Sequence, residues 1–271
     1  MPDQTETLKQ VVASQNLEII LVASGKGGVG KSVIATNLAV SLARNQKNVL
    51  LFDADAGFAN ADILLGVTTK NTLRDYLISD MELKDVIYPT RYGVWLLSSG
   101  TDVQDLIAFR KEPKTRLIDD FMHMALDMNY AIVDTGAGYT EELFSFYSAA
   151  DKLFLVTTPE PTALMNVYTL AKVLSNNGIF PELYLIMNQS RNTSKDIKVL
   201  DRFSYVIEKF AGWKVQERFI LRSDKTVSNS VIKQVPLIEL YKHSQPAQTI
   251  ARLTDQVLKD NSERKIRMAA F

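Results

Sequence analysis

Two lysines and a serine stand among four glycines in Gly25-Lys26-Gly27-Gly28-Val29-Gly30-Lys31-Ser32. Gly25, Gly30, Lys31 and Ser32 satisfy the pattern G-x-x-x-x-G-K-[ST], directly after the apolar run Ile19 to Ala23 and directly before a helical stretch from Ser32 to Arg44. Residues of these types in this order hold a chain of phosphates. Glycines let backbone N–H groups curl around phosphate oxygens, and the helix start at Ser32 and Val33 adds a favourable dipole. Lys31 then reaches the β and γ phosphates, and the Ser32 hydroxyl is offered to magnesium. Acidic partners follow at Asp53 and Asp55, at the end of the run Val49 to Phe52, where period-two alternation turns both to one side. Asp53 suits support of the metal through water, and Asp55 suits orienting the attacking water. Asp134 ends the run Tyr130 to Val133, before the flexible turn Thr135-Gly136-Ala137-Gly138, and reads as a metal-site carboxylate with a phosphate-sensing loop behind it. No Asn-Lys-x-Asp sequence announces guanine, so the cofactors expected are ATP and Mg2+, with Asn188 placed to read the base edge.

These residues need a frame that brings strand ends together. Apolar runs at 19–23, 49–52, 94–97, 130–133, 153–156 and 183–187, separated mostly by helical periodicity, form a βα rhythm. Strands apolar at nearly every position imply a sheet covered on both faces. The fold class is therefore α/β, a single-domain P-loop NTPase fold with a mainly parallel twisted sheet and helices on both faces. A mobile arm is expected over residues 1–16, the ATPase domain over 17–260 with its last helix ending near Lys259, and a short tail over 261–271.

With 31 basic and 31 acidic residues, no global field draws the chain to nucleic acid or anionic lipid. The absence of cysteine removes disulfides, thiolate zinc sites, cysteine nucleophiles and iron–sulfur ligation. The polar start Met1 to Glu6 is unlike a signal peptide, and no apolar run approaches the roughly 20 residues that span a bilayer. A soluble, cytoplasmic chain is expected.

The additional lysine, Lys26, resembles the deviant Walker A motif of the MinD/ParA class of ATPases. The resemblance implies that this lysine contacts the nucleotide of a partner subunit, stabilising a sandwich homodimer and transferred charge as an arginine finger does. Within that class, Asp53-Ala54-Asp55-Ala56-Gly57-Phe58-Ala59-Asn60-Ala61-Asp62 and Thr157-Thr158-Pro159-Glu160-Pro161-Thr162-Ala163-Leu164 look most like the FlhG (FleN or YlxH) flagellar-number ATPases, over roughly residues 17 to 258. Arg222 to Val227 and Gln234-Val235-Pro236 are similar to the class's nucleotide-edge segment, which brings in Arg222. Asn166 stands where an acidic residue is expected, outside the phosphate site.

Asp3-Gln4-Thr5-Glu6-Thr7-Leu8-Lys9 resembles the element with which FlhG proteins stimulate the signal-recognition-type GTPase FlhF, with Thr5 for Ala and Lys9 for Arg. Lysine lacks arginine's planar fork. The family also implies a flagellar transcription regulator or a C-ring component as a partner. A C-terminal segment, Ser262 to Phe271, implies peripheral attachment to the inner membrane in the ATP state. One copy is too weakly apolar to hold, whereas two on a dimer gain avidity. The competing reading is a ParA-type DNA-partitioning ATPase. Its basic surface would come from residues 189–225, where nine bases face five acids, a modest excess that fits a solvated face better than a nucleic-acid partner.

Overall fold

Side chains of a strand point alternately to its two faces, so an uninterrupted apolar run feeds two cores at once. In the computed structural model, which describes residues 17–111, 115–125, 127–191 and 193–269, β1 (Glu18–Ser24) does this. Ile19, Leu21 and Ala23 enter one hydrophobic layer, Ile20 and Val22 the other. The same division places Leu50 and Phe52 of β2 (Val49–Ala54) opposite Val49 and Leu51. In β5 (Tyr130–Ala137) it places Ala131 and Val133 opposite Tyr130 and Ile132.

With β3 (Ile87–Pro89), β4 (Val94–Ser98), β6 (Lys152–Thr157), β7 (Glu182–Ser190) and β8 (Val215–Arg222), these strands form one eight-stranded sheet in the order β3-β4-β2-β5-β1-β6-β7-β8. All pairings are parallel except β3 with β4. The single-domain α/β architecture with a mainly parallel sheet is thus as expected. One face is covered by α3 (Leu73–Ile78), α5 (Thr115–Ala125), α6 (Phe144–Ala149), α7 (Pro161–Asn176) and α8 (Thr193–Ala211). The other carries α1 (Lys31–Arg44), α2 (Ala61–Leu65), α10 (Leu237–Leu240) and α11 (Gln245–Ala269). Ile34, Leu38 and Leu42 of α1 face the sheet at helical spacing, and Ile250, Leu253 and Val257 of α11 do the same. Two further helices, α4 (Val103–Lys111) and α9 (Lys225–Ile232), stand at the carboxyl ends of the strands.

Four features depart from the sequence reading. Residues 135–137 are strand and not a flexible turn: β5 continues past Asp134, and Thr135 is fully buried. The pairs Asp53 with Asp134 and Ala54 with Thr135 extend the β2–β5 ladder beyond the apolar run. Edge strands β3 and β8 are present although β3 is only three residues long and β8 is half polar, because an edge strand pairs on one side only and needs less apolar cover. Pro89 is tolerated at the end of the short β3 for the same reason. Finally, α11 does not stop near Lys259 but runs unbroken to Ala269. Its continuation is held by polar anchors: Tyr184 donates to Asp260 at 2.5 Å, and Asn261 donates to Glu18 at 2.6 Å. Among the described residues, no helix is long and apolar enough to cross a membrane. The arm, residues 1–16, and the last residues, Ala270 and Phe271, lie outside the described residues.

Candidate nucleotide site

The loop between β1 and α1 turns on Gly28 and Gly30, both at positive φ (75° and 93°). Gly30 takes the cap position of α1, and no side chain caps that helix. Nor is there an acidic residue in its first turn. The N–H groups of Lys31, Ser32 and Val33 are therefore left for an anion, at the positive end of the helix dipole. A Cβ on Gly30 would collide with the Asn188 amide, and one on Gly25 with the Asn166 backbone. The loop is thus clamped between the end of β7 and the second turn of α7. Asn166 is not remote from the phosphate loop, as its place in the sequence suggested, but packs directly on its first glycine.

From β7, Asn188 Nδ2 donates to the Val29 carbonyl at 2.8 Å and Gln189 Nε2 to the Gly28 carbonyl at 3.0 Å. Both residues lie where the β7–β8 register slips between Met187 and Ser190, with Gln189 at φ 58°. A bulge of this kind re-aims side chains beside a site. The sequence marks Asn188 as a base reader; in this structure it lines the crevice and its amide nitrogen braces the loop. Gln189 was missed, and only its position next to Asn188 hinted at it.

Two carboxylates, Asp55 and Asp134, face Lys31, whose side chain is buried, and Asp53 stands beside Asp134. Asp53 and Asp134 are neighbours across the β2–β5 ladder, and both are almost fully buried. Asp53 Oδ2 accepts the N–H groups of Asn60 and Ala61 at 2.7 and 2.8 Å, and Oδ1 that of Asp55 at 3.3 Å. It pins the loop that follows β2. The loop is stapled again where Gly57 N–H and Ala59 N–H donate to Gly100 carbonyl. Asp55, just beyond β2, is half-buried and faces Lys31 and the Gly136 backbone.

Asp134 differs from its neighbour. Neither of its oxygens has a hydrogen-bond partner of good geometry, although both are buried. Burial first, then the charge of Asp53, hold its carboxyl well above the usual carboxylate range, against the pull of Lys31 and Ser32. Burial likewise raises Asp53, against its three backbone donors. Two adjacent buried carboxyls, one without partners, beside a serine hydroxyl and a lysine, are the donor set for a hard divalent cation such as Mg2+. Asp53 and Asp134 are thus neighbours on the ladder, and Ser32 stands beside Asp134.

Beyond the loop, a crevice of about 790 Å³ opens at the carboxyl ends of β6, β7 and β8. It is lined by Gly28, Gly30, Val33, Asn188 and Arg222 among others, so these residues and the loop share one site. Its volume is in the range of small-molecule sites. Pro159, Glu160 and Arg191 also line it. Lys26 lies at the loop's mouth, half-exposed, and its ammonium is 2.8 Å from Glu160.

A glycine-rich loop running from a strand into an uncapped helix, with buried carboxylates on the neighbouring strands, is the nucleotide site of a P-loop NTPase. The ParA family, described as an NUBPL iron-transfer P-loop NTPase, matches residues 15–257. The chain belongs to this ParA/MinD family of P-loop ATPases. It is 29% identical to the antiactivator FleN of Pseudomonas aeruginosa over 250 residues, covering 92% of this chain and 89% of that protein. To the flagellum site-determining protein YlxH of Helicobacter pylori it is 37% identical over 175 residues, covering 64% of this chain and 58% of that one. The fold superposes on the septum site-determining protein MinD of Pyrococcus horikoshii, solved with Mg-ADP, with a TM-score of 0.76 at 25% identity, over 89% of this chain and 96% of that one. The iron-transfer part of the family description has no thiolate to rest on here, since the sequence contains no cysteine.

Proposed function

We propose that this chain is a switch ATPase that dimerises with ATP, hydrolyses it slowly and returns to the monomer, and that it sets flagellar number or placement. The observation that carries the reading is Lys26, a second lysine on the phosphate loop that is half-exposed, whereas Lys31 is buried among the carboxylates. A cation that faces outward from a nucleotide site is available to the nucleotide of a second copy.

Within one site, the N–H groups from Gly25 to Val33 and the Lys31 ammonium would hold the phosphates, and Ser32 and Asp134 would hold Mg2+, with Asp53 behind Asp134 and pinning the adjoining loop. Mg2+, when bound, neutralises charge between the phosphates. Asp55 orients the attacking water, and Lys26 of the other copy stabilises charge on the transferred phosphoryl group. Likeness to FleN and YlxH supports the flagellar role. The arm's Gln4 element then addresses an FlhF-type GTPase, with a flagellar transcription regulator or a C-ring component as the further listener. Two C-terminal ends on one dimer provide ATP-dependent affinity for the inner-membrane surface from the cytoplasm. The charges speak against the DNA-partitioning reading: in the 189–225 stretch Arg218 pairs with Asp201 at 3.3 Å, and Lys209 lies over the rings of Tyr205 and Phe210.

Gel filtration with ATP tests the core of the proposal. Lys26→Ala and Lys31→Ala should remain monomeric while Asp55→Ala is trapped as a dimer with little phosphate release; a monomeric Asp55→Ala removes the role given to that residue. Capture of an FlhF-type GTPase by the wild-type chain but not by Gln4→Ala tests the partner.

A further inference from the structure

In the free chain Lys26 already has a partner of its own. Its ammonium donates to Glu160 Oε2 at 2.8 Å. Glu160 is the residue before Pro161, in extended conformation at the cap of α7, and proline at the first helical position fixes where that helix starts. Val167, Leu170, Ala171 and Leu174 bury α7 on the sheet, and the Asn166 backbone rests on Gly25. The glutamate is therefore brought to the loop by a packed helix, and Pro161 and Gly25 set the distance on either side. Lys26 is the main influence that keeps the Glu160 carboxyl below its ordinary range, with Arg191 a smaller one.

We propose that Glu160 is a latch for Lys26, holding the ammonium on its own chain so that it must be released before it can reach the nucleotide of a second copy. This rests on the reading of Lys26 as the residue that acts across the dimer. The latch makes dimerisation a competition: the phosphates of the partner's ATP must outbid one carboxylate. An exposed ion pair shifts such an equilibrium by roughly twofold. Both latches open when a symmetric dimer forms, so the combined effect on the dimer constant is the square, about fourfold.

Two variants, Glu160→Gln and Glu160→Ala, test it at a position whose side chain is 62% exposed. In the nucleotide-free chain, modification of Lys26 by an amine-reactive reagent, read residue by residue by mass spectrometry, should accelerate in both, while the exposed Lys70 is unchanged. At saturating ATP the dimer of each variant should tighten by about fourfold in sedimentation equilibrium. Unchanged labelling of Lys26 overturns the latch, and so does a weakened ATP dimer in either variant, because the glutamate would then serve the dimer. A Lys26→Ala chain that dimerises as well as wild type overturns the underlying reading instead, and leaves the labelling result standing.

Discussion

Asp53 and Asp134 are adjacent aspartates of one ladder with opposite circumstances. Asp53 satisfies three backbone N–H groups, so Asp53→Ala leaves those donors without an acceptor in a buried place. We expect a loss of about 2–4 kcal/mol in urea unfolding, and a smaller loss in Asp53→Asn, which keeps one acceptor oxygen. Asp134 has no such duty. Asp134→Asn removes the like charge beside Asp53, so the ligand-free chain should melt no lower than wild type, while the gain in melting temperature on adding Mg2+ with nucleotide disappears. The pH dependence has a definite sign. Both carboxyls are raised above their unfolded values, so the ligand-free folded chain binds more protons than the unfolded one, and the stability they contribute is lost as pH rises above about 4. A bound cation favours the charged forms, so stabilisation by Mg2+ and nucleotide should grow with pH in thermal-shift measurements. The ligand-free slope should flatten in Asp134→Asn; an unaltered slope would assign it to other groups.

The elements around the phosphate loop act as braces. The bulge at the end of β7 supplies two amide donors, and α7 supplies Asn166. Deleting one neutral brace while the fold stays intact should loosen the loop and not remove the site. Asn188→Ala is expected to weaken ATP binding by about fivefold, near 1 kcal/mol, in a titration with a fluorescent ATP analogue, with urea stability nearly unchanged. Gly30→Ala should do far more, because it forces a side chain into a left-handed conformation against the Asn188 amide.

At the scale of the molecule, the sheet end opposite the nucleotide is tied by charge. Lys152, on β6, has a side chain 5% exposed and lies 3.1 Å from Glu18, 2.6 Å from Glu182 and 3.6 Å from Asp260. Asn261 also reaches Glu18. This cluster joins the first residue of β1 to α11, and therefore links the root of the arm to the helix that continues into the tail. Removing the lysine leaves the buried Glu18 carboxylate uncompensated: Lys152→Met should cost about 3–5 kcal/mol by chemical denaturation. Adding Glu18→Gln to it should recover part of that loss, and hydrogen exchange over 256–269 should be fastest in the single variant.

The sequence by itself determined the phosphate loop, the strand–helix rhythm around it and the class of chemistry, because a phosphate cradle is made by one contiguous segment whose glycines and lysine act through their own backbone and spacing. The two-sided sheet was legible too, since burial on both faces demands unbroken apolar runs such as Ile19 to Ala23. Only the tertiary structure decided which aspartate pins a loop and which is left for a cation. Asp53 and Asp134 have the same side chain, and 81 positions separate the residues that the β2–β5 ladder makes neighbours. It also decided the edge strands, whose shortness or one-sided burial erases the apolar signal, and the true length of α11, which is held past Lys259 by hydrogen bonds of Asp260 and Asn261 to residues far away in the chain. The same holds for Lys26 and Glu160, 134 positions apart, which meet because α7 packs against the sheet.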